Sequence, residues 1–236
     1  MRWRALAIVA AMAVSAGRSA YSQGGAPAAH ADLSGYWELR FDSFNVPRAP
    51  LTMGAQAMLE MRRARDQDAI RGCVNVGMPA LMDDRGTLDI RQSPGVVAMV
   101  ARSPSSTRYI YTDGRTHPDA DELERTTNGH SIGRREGDAV VVDTVGFNDR
   151  GVTAVPGGGY RTAMSHLTER YSLSSSGDEL AVTFTWTDST VFRGPHTYSY
   201  RYYRVRTASE PRVLQCVAND RDRATFVSAT PQPARF

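Results

Sequence analysis

Lysine is absent from the 236 residues, and all 28 basic side chains are arginine. Schiff-base chemistry of the pyridoxal or aldolase type needs a lysine amine and is excluded. The phosphate-gripping loop that ends in Gly-Lys-Ser/Thr is excluded with it. Kinase chemistry, which sets a lysine on the nucleotide, is disfavoured. Cysteine is almost absent: Cys73 and Cys216 are the two in the chain. Two are too few for a cysteine zinc cage. In an oxidising compartment they are expected to form a disulfide across a long loop, and the alternative is a pair of buried thiols. Chain entropy gives such a bridge about 5 kcal/mol at most. The chain also lacks a Gly-x-Ser-x-Gly elbow, which weakens a serine-hydrolase reading.

Long apolar runs are missing except at the start. Met1–Arg4 is basic, Ala5–Ala16 is apolar, and small residues follow. That run is too short to span a bilayer and has the layout of a secretory signal peptide, residues 1–22, cleaved near Ala16 to Ser22. Residues 23–31 then read as a flexible linker and residues 32–236 as a single domain. Cleavage after Ser22 removes Arg2, Arg4 and Arg18 and no acid, which takes the 28 arginines to 25 against 25 Asp and Glu. The pI near 9.0 therefore loses its force, and a nucleic-acid partner is not expected. A periplasmic or secreted location follows, with no membrane span.

What is present is mostly strand pattern. Thr52 to Ile70 is the one clear helix, with Thr52 as N-cap, and its second half reads as a solvated charged face. Strands are expected over 33–41, 87–92, 96–102, 108–112, 131–136, 139–145, 165–173, 179–187 and 197–205. Pro94-Gly95, Gly137-Asp138 and Ser176-Gly177-Asp178 are turn chemistry between them. Nine strands with short connections predict a mainly β fold, an antiparallel up-and-down barrel, with a β-sandwich as the alternative. Two long loops, 114–129 and 148–164, interrupt the meander and are expected to serve a binding site.

Alternation along the strands selects the chemistry. Glu169 shares a face with Leu167, Tyr171 and Leu173, and Asp143 shares one with Val141 and Val145. A carboxylate on an apolar face must be paired, protonated or turned to a wet cavity. Glu169 and Asp143 are thus either ion-paired with an arginine or part of a site. The segment Arg108–Pro118 holds the densest set of capable groups: Tyr109 and Tyr111 on one strand face, then Arg115 and His117. His130 opens the next strand, so both histidines flank the first long loop. A histidine beside a carboxylate is the usual acid–base pair. The bland reading is that His117 caps a loop and His130 bonds a carbonyl. No paired-His motif points to a metal. Trp186 and Tyr200 lie on aromatic stripes, which either pack a core or wall a flat ligand.

Several motifs together resemble a large family of exported bacterial proteins. They are Asp32-Leu-Ser-Gly-Tyr-Trp37, Arg108-x-Ile-Tyr-x-Asp-Gly-Arg-x-His-Pro118, Gly129-His-Ser-Ile-Gly-x-x-Glu-Gly-Asp138 and Val141-Val-Asp-Thr-Val-Gly-Phe147. The likeness runs from about Asp32 to Arg204. It departs at Arg135, where that family carries Trp, and at Ala139, where it carries Thr. The resemblance implies no particular reaction. The Gly-x-Trp opening before a β meander is also similar to lipocalin-like (calycin-like) barrels, which implies an apolar ligand.

These readings converge on an exported enzyme that needs no cofactor. It would act as a lyase, isomerase or hydrolase on a small aromatic or apolar compound. His130 or His117 is the expected base, Asp143 its orienting partner, Arg115 the anion stabiliser and Tyr111 a proton donor. Glu169 is a further candidate, and Tyr109, Trp186, Tyr200 and Arg135 are the expected substrate contacts. A non-catalytic carrier of an apolar ligand is the alternative, and a structural envelope protein with a filled barrel a third.

Overall fold

The computed structural model describes residues 32–206, apart from 44, 73, 75, 84–86 and 102–105, together with the backbone of two short strands at 214–217 and 225–228. The signal-peptide and linker segments lie outside the described residues, as do Cys73 and the Cys216 side chain, and with them the expected disulfide.

Nine strands close into a barrel around a core of aromatic and aliphatic side chains. In chain order they are β1 (Gly35–Leu39), β2 (Thr87–Ser93), β3 (Val96–Val100), β4 (Thr107–Tyr111), β5 (His130–Glu136), β6 (Ala139–Val145), β9 (His166–Leu173), β10 (Glu179–Thr187) and β11 (His196–Val205). Two short hairpins complete the β structure: β7 (Ala154–Val155) with β8 (Gly159–Tyr160), and β12 (Leu214–Val217) with β13 (Thr225–Ser228). The barrel order is β1-β11-β10-β9-β6-β5-β4-β3-β2, and β2 returns to β1.

One pairing differs from a plain up-and-down meander. β4 and β5 run parallel, with Ile110 opposite Ser131 and Tyr111 opposite Ile132. Parallel neighbours need a connection of a dozen residues or more. That is the structural use of the long loop after Tyr111: it carries the chain back across the barrel wall so that β5 enters in the direction of β4.

The helix α1 (Met53–Arg71) starts where the sequence requires. Thr52 is extended at φ −67°, ψ 160°, and its hydroxyl accepts from the Ala55 amide at 3.1 Å. The charged second half is not wholly solvated, contrary to expectation. Asp66 is buried and accepts from the Thr153 amide (2.8 Å), the Thr153 hydroxyl (2.9 Å) and the Ala154 amide (2.8 Å). Three amide or hydroxyl donors at one carboxylate dock α1 onto the β7–β8 hairpin.

Inward positions obey period two. Trp37, Ile90, Met99, Ile110, Val142, Leu167, Val182, Phe184 and Tyr198 are fully or almost fully buried. Full burial of a large apolar side chain is worth roughly 1.5–3 kcal/mol. The segment before β2 adds Met78, Leu81 and Met82 to this core, and the Tyr202 hydroxyl donates to the Met82 carbonyl at 2.8 Å. Gly77 lets that segment approach closely. Its φ is +61°, and a Cβ there would stand 2.3 Å from the Thr127 carbonyl oxygen.

A polar cluster is set into the same interior. Arg108 and Glu169 are both buried, and the guanidinium grips the carboxylate through Nη1–Oε1 at 2.8 Å and through a closer Nη2–Oε2 contact. Arg108 also donates to Ser131 Oγ (3.0 Å) and Thr144 Oγ1 (2.9 Å), and the Tyr171 hydroxyl donates to Glu169 at 2.8 Å.

Candidate active site on the outer barrel wall

Three of the chain's five histidines gather around one aspartate. Asp143 lies on β6, where Val142 and Thr144 point inward, so its own side chain takes the outer face. Its direct neighbours across the ladder are Ile132 on β5 and Thr168 on β9. Two residues along from each, on the same outer face, stand His130 and His166, the diagonal positions that long side chains can bridge. His117 arrives from the crossover loop and closes the group.

The contacts form a chain. His166 Nε2 makes a very short contact with Asp143 Oδ1. His117 Nε2 lies 3.2 Å from Asp143 Oδ2, and His117 Nδ1 lies 2.8 Å from His130 Nδ1. The proton positions follow from what each atom can do. A carboxylate only accepts, so His117 donates through Nε2. In the tautomer that puts the His117 proton on Nε2, its Nδ1 lone pair accepts from His130 Nδ1–H. This leaves the Nε2 lone pair of His130 without a hydrogen-bond partner among the described residues.

Electrostatics agree with that assignment. The His166 hydrogen bond is the main influence holding the Asp143 carboxyl below its usual range. The same bond raises His166 and favours its protonated form. Burial, with the nearby His117 and Arg115, lowers His130 and favours its neutral form. A base that is neutral near pH 7 with an anchored partner behind it can accept a proton from a bound molecule. His130 itself borders an open cleft of about 400 Å³, whose walls include Tyr109, Tyr111, Pro118, Leu123 and Asn128. Tyr111 stacks on His130 at 5.4 Å between ring centroids, and the Arg115 guanidinium lies over the Tyr111 ring at 3.9 Å.

The fold thus brings His117, His130 and Asp143 into direct contact, with Tyr111 and Arg115 as a second layer. Arg115 is engaged by Asp113 through Nη2–Oδ2 at 2.5 Å, so its charge is already matched. Tyr109 is 55% exposed and lines the cleft. The remaining expectations fall elsewhere. Glu169 is inside the barrel, ion-paired with Arg108 and closed off from solvent, because alternation on β9 turns it away from His166. Trp186 and Tyr200 are core residues: Trp186 packs on Phe147 at 5.4 Å and Tyr200 on Phe184 at 5.4 Å. Arg135 is exposed at the β5–β6 turn, where it donates to the Gly137 carbonyl at 2.8 Å. The barrel therefore carries the histidine–aspartate cluster on its outer wall, apart from the Arg108–Glu169 pair in its interior.

His166 is the residue that sequence reasoning passed over. Its strand position was legible, yet its meeting with Asp143 depends on the β6–β9 register. Among the described residues no group of three histidines, cysteines or carboxylates is placed to hold a metal ion. Among them, too, no helix is long and apolar enough to cross a membrane. Compared with known protein families and with curated proteins, the chain matches none of either.

Proposed function

We propose that this chain is an exported enzyme that carries out cofactor-independent acid–base chemistry on a small, partly aromatic compound. The observation that carries the reading is the Asp143–His117–His130 chain, which ends in an unused imidazole nitrogen beside an open cleft. His130 takes a proton from the substrate through Nε2. His117 accepts the Nδ1 proton as positive charge develops, and Asp143 stabilises the imidazolium that results. The Tyr111 hydroxyl returns a proton to the substrate. Removing a proton from carbon or oxygen and returning one elsewhere suits elimination or isomerisation, and the same base could activate water for hydrolysis. Arg115, matched by Asp113, acts through the Tyr111 ring and not as a direct anion clamp. The motif likeness to exported bacterial proteins and the signal-like N-terminus support export. The carrier reading has less behind it, since the aromatic stripes that would wall its ligand pack against one another.

The test needs no knowledge of the natural substrate. A panel of small aryl ketones is incubated with the protein in deuterium oxide, and exchange at the acidic C–H is followed by NMR. His130→Gln should slow exchange by about 10²–10⁴-fold without unfolding the protein. Full exchange in both His130→Gln and His117→Gln, or no exchange anywhere in the panel, would overturn the proposal.

A further inference from the structure

A second pocket, of about 250 Å³, lies between α1 and the β7–β8 hairpin. Leu59, Arg62, Arg63 and Asp66 reach it from one helix face, at the i, i+3, i+4, i+7 spacing that stacks side chains together. Val155 and Tyr160 supply the opposite wall. Nothing in the chemistry proposed for the outer-wall histidines uses these groups.

The charges in this pocket do not balance locally. Asp66 is committed to its three donors on Thr153 and Ala154. Arg62 lies over the Tyr160 ring at 5.1 Å, and its Nη1 is buried with no hydrogen-bond partner among the described residues. A buried guanidinium donor left unpaired is costly, and a carboxylate is the acceptor that matches its fork. Gly158 leaves open space beside the hairpin, with no atom within 4 Å of where its Cβ would stand.

We infer that this pocket binds a small organic monocarboxylate. The carboxylate would meet the Arg62 guanidinium, and the apolar body would lie along Leu59, Val155 and the Tyr160 ring. Asp66, one helical turn beyond Arg62, sets a carboxylate beside the pocket that disfavours a dianion such as phosphate. Arg63, exposed at the mouth, draws anions in but does not select among them.

The full-length protein is titrated with benzoate, benzamide and inorganic phosphate, with binding read by NMR of the aromatic and methyl signals. Benzoate should saturate with one-to-one stoichiometry and shift the Tyr160 ring and Val155 methyl resonances. Arg62→Gln should weaken it by at least about tenfold, the loss expected for a charge-assisted hydrogen bond. Benzamide and phosphate should bind more weakly than benzoate by a similar factor. Absence of saturation, shifts that spare Tyr160 and Val155, or unchanged affinity in Arg62→Gln would overturn the site. Phosphate binding as tightly as benzoate would overturn the monocarboxylate class. If Arg62→Gln fails to fold, the benzoate–benzamide comparison on the unaltered protein decides the question.

Discussion

Glu169→Gln isolates the energetics of the barrel interior. The substitution keeps the shape of the side chain and removes one charge. Arg108, 1% exposed at its side chain, would then be an uncompensated buried cation. Its remaining partners, Ser131 Oγ, Thr144 Oγ1 and Met78 Sδ, are neutral. Breaking a buried ion pair from one side costs about 3–5 kcal/mol. Domains of this size lose roughly 2–4 °C of Tm per kcal/mol, so the expected fall is about 6–20 °C. That is a large share of a total stability of about 5–15 kcal/mol. The double variant Arg108→Met/Glu169→Leu should recover most of the loss. Ser131 and Thr144 still bond one another at 3.0 Å once the guanidinium is gone, and the Tyr171 hydroxyl keeps only the weak Met99 Sδ acceptor at 3.7 Å. Adding Tyr171→Phe should therefore bring stability to within about 1 kcal/mol of the parent. Urea unfolding followed by tryptophan fluorescence reads all three, since Trp37 and Trp186 are buried. A single-variant cost below about 1 kcal/mol, or a double variant no better than the single, would refute the assignment of Arg108 and Glu169 as a desolvated pair.

Two further outcomes follow from the outer wall and the helix. His166 is raised in the folded state, so its contribution is complete below the unfolded histidine value of about 6.5 and is lost as pH rises through the higher folded value. Asp143 is lowered, so its contribution is complete above the unfolded aspartate value of about 3.9 and is lost as pH falls through the lower folded value. A Tm–pH series should therefore show the stability gap between the parent and Asp143→Asn at its widest near pH 4–6.5 and narrowing on both sides; a gap independent of pH would contradict the His166–Asp143 contact. Asp66→Ala should cost about 2–5 kcal/mol by stranding buried donors on Thr153 and Ala154, with amide exchange quickened at Ala154; a cost under about 0.5 kcal/mol would show that α1 is docked by other contacts.

Much of the barrel was legible because strand pattern is local. Period-two alternation and turn residues located all nine barrel strands to within a few positions, and Thr52 marked the helix start. The parallel β4–β5 pairing was not legible, since a loop's length permits a crossover without requiring one. The site was half legible. His117 and His130 stood out by flanking the same loop and Asp143 as a carboxylate on an apolar strand face, and the structure joins them. Glu169 was singled out by the same rule that exposed Asp143, a carboxylate among apolar neighbours. One proved internal and ion-paired, the other external and bound to histidines, because alternation gives two faces without saying which is inside.

The sequence by itself determined the chemistry on offer: no lysine, cations that are all arginine, and proton transfer left to His, Asp, Glu and Tyr. It also determined where the strands run, because propensity and alternation are properties of neighbouring residues. Tertiary structure alone decided which of these groups meet. His166, Asp143 and His130 come from three strands whose register sets them on adjacent diagonals, and His117 comes from a crossover loop that only barrel closure brings back. Arg108 found Glu169 across 61 positions of chain for the same reason: a buried charge must be matched, and only the closed barrel fixes which partner lies within reach.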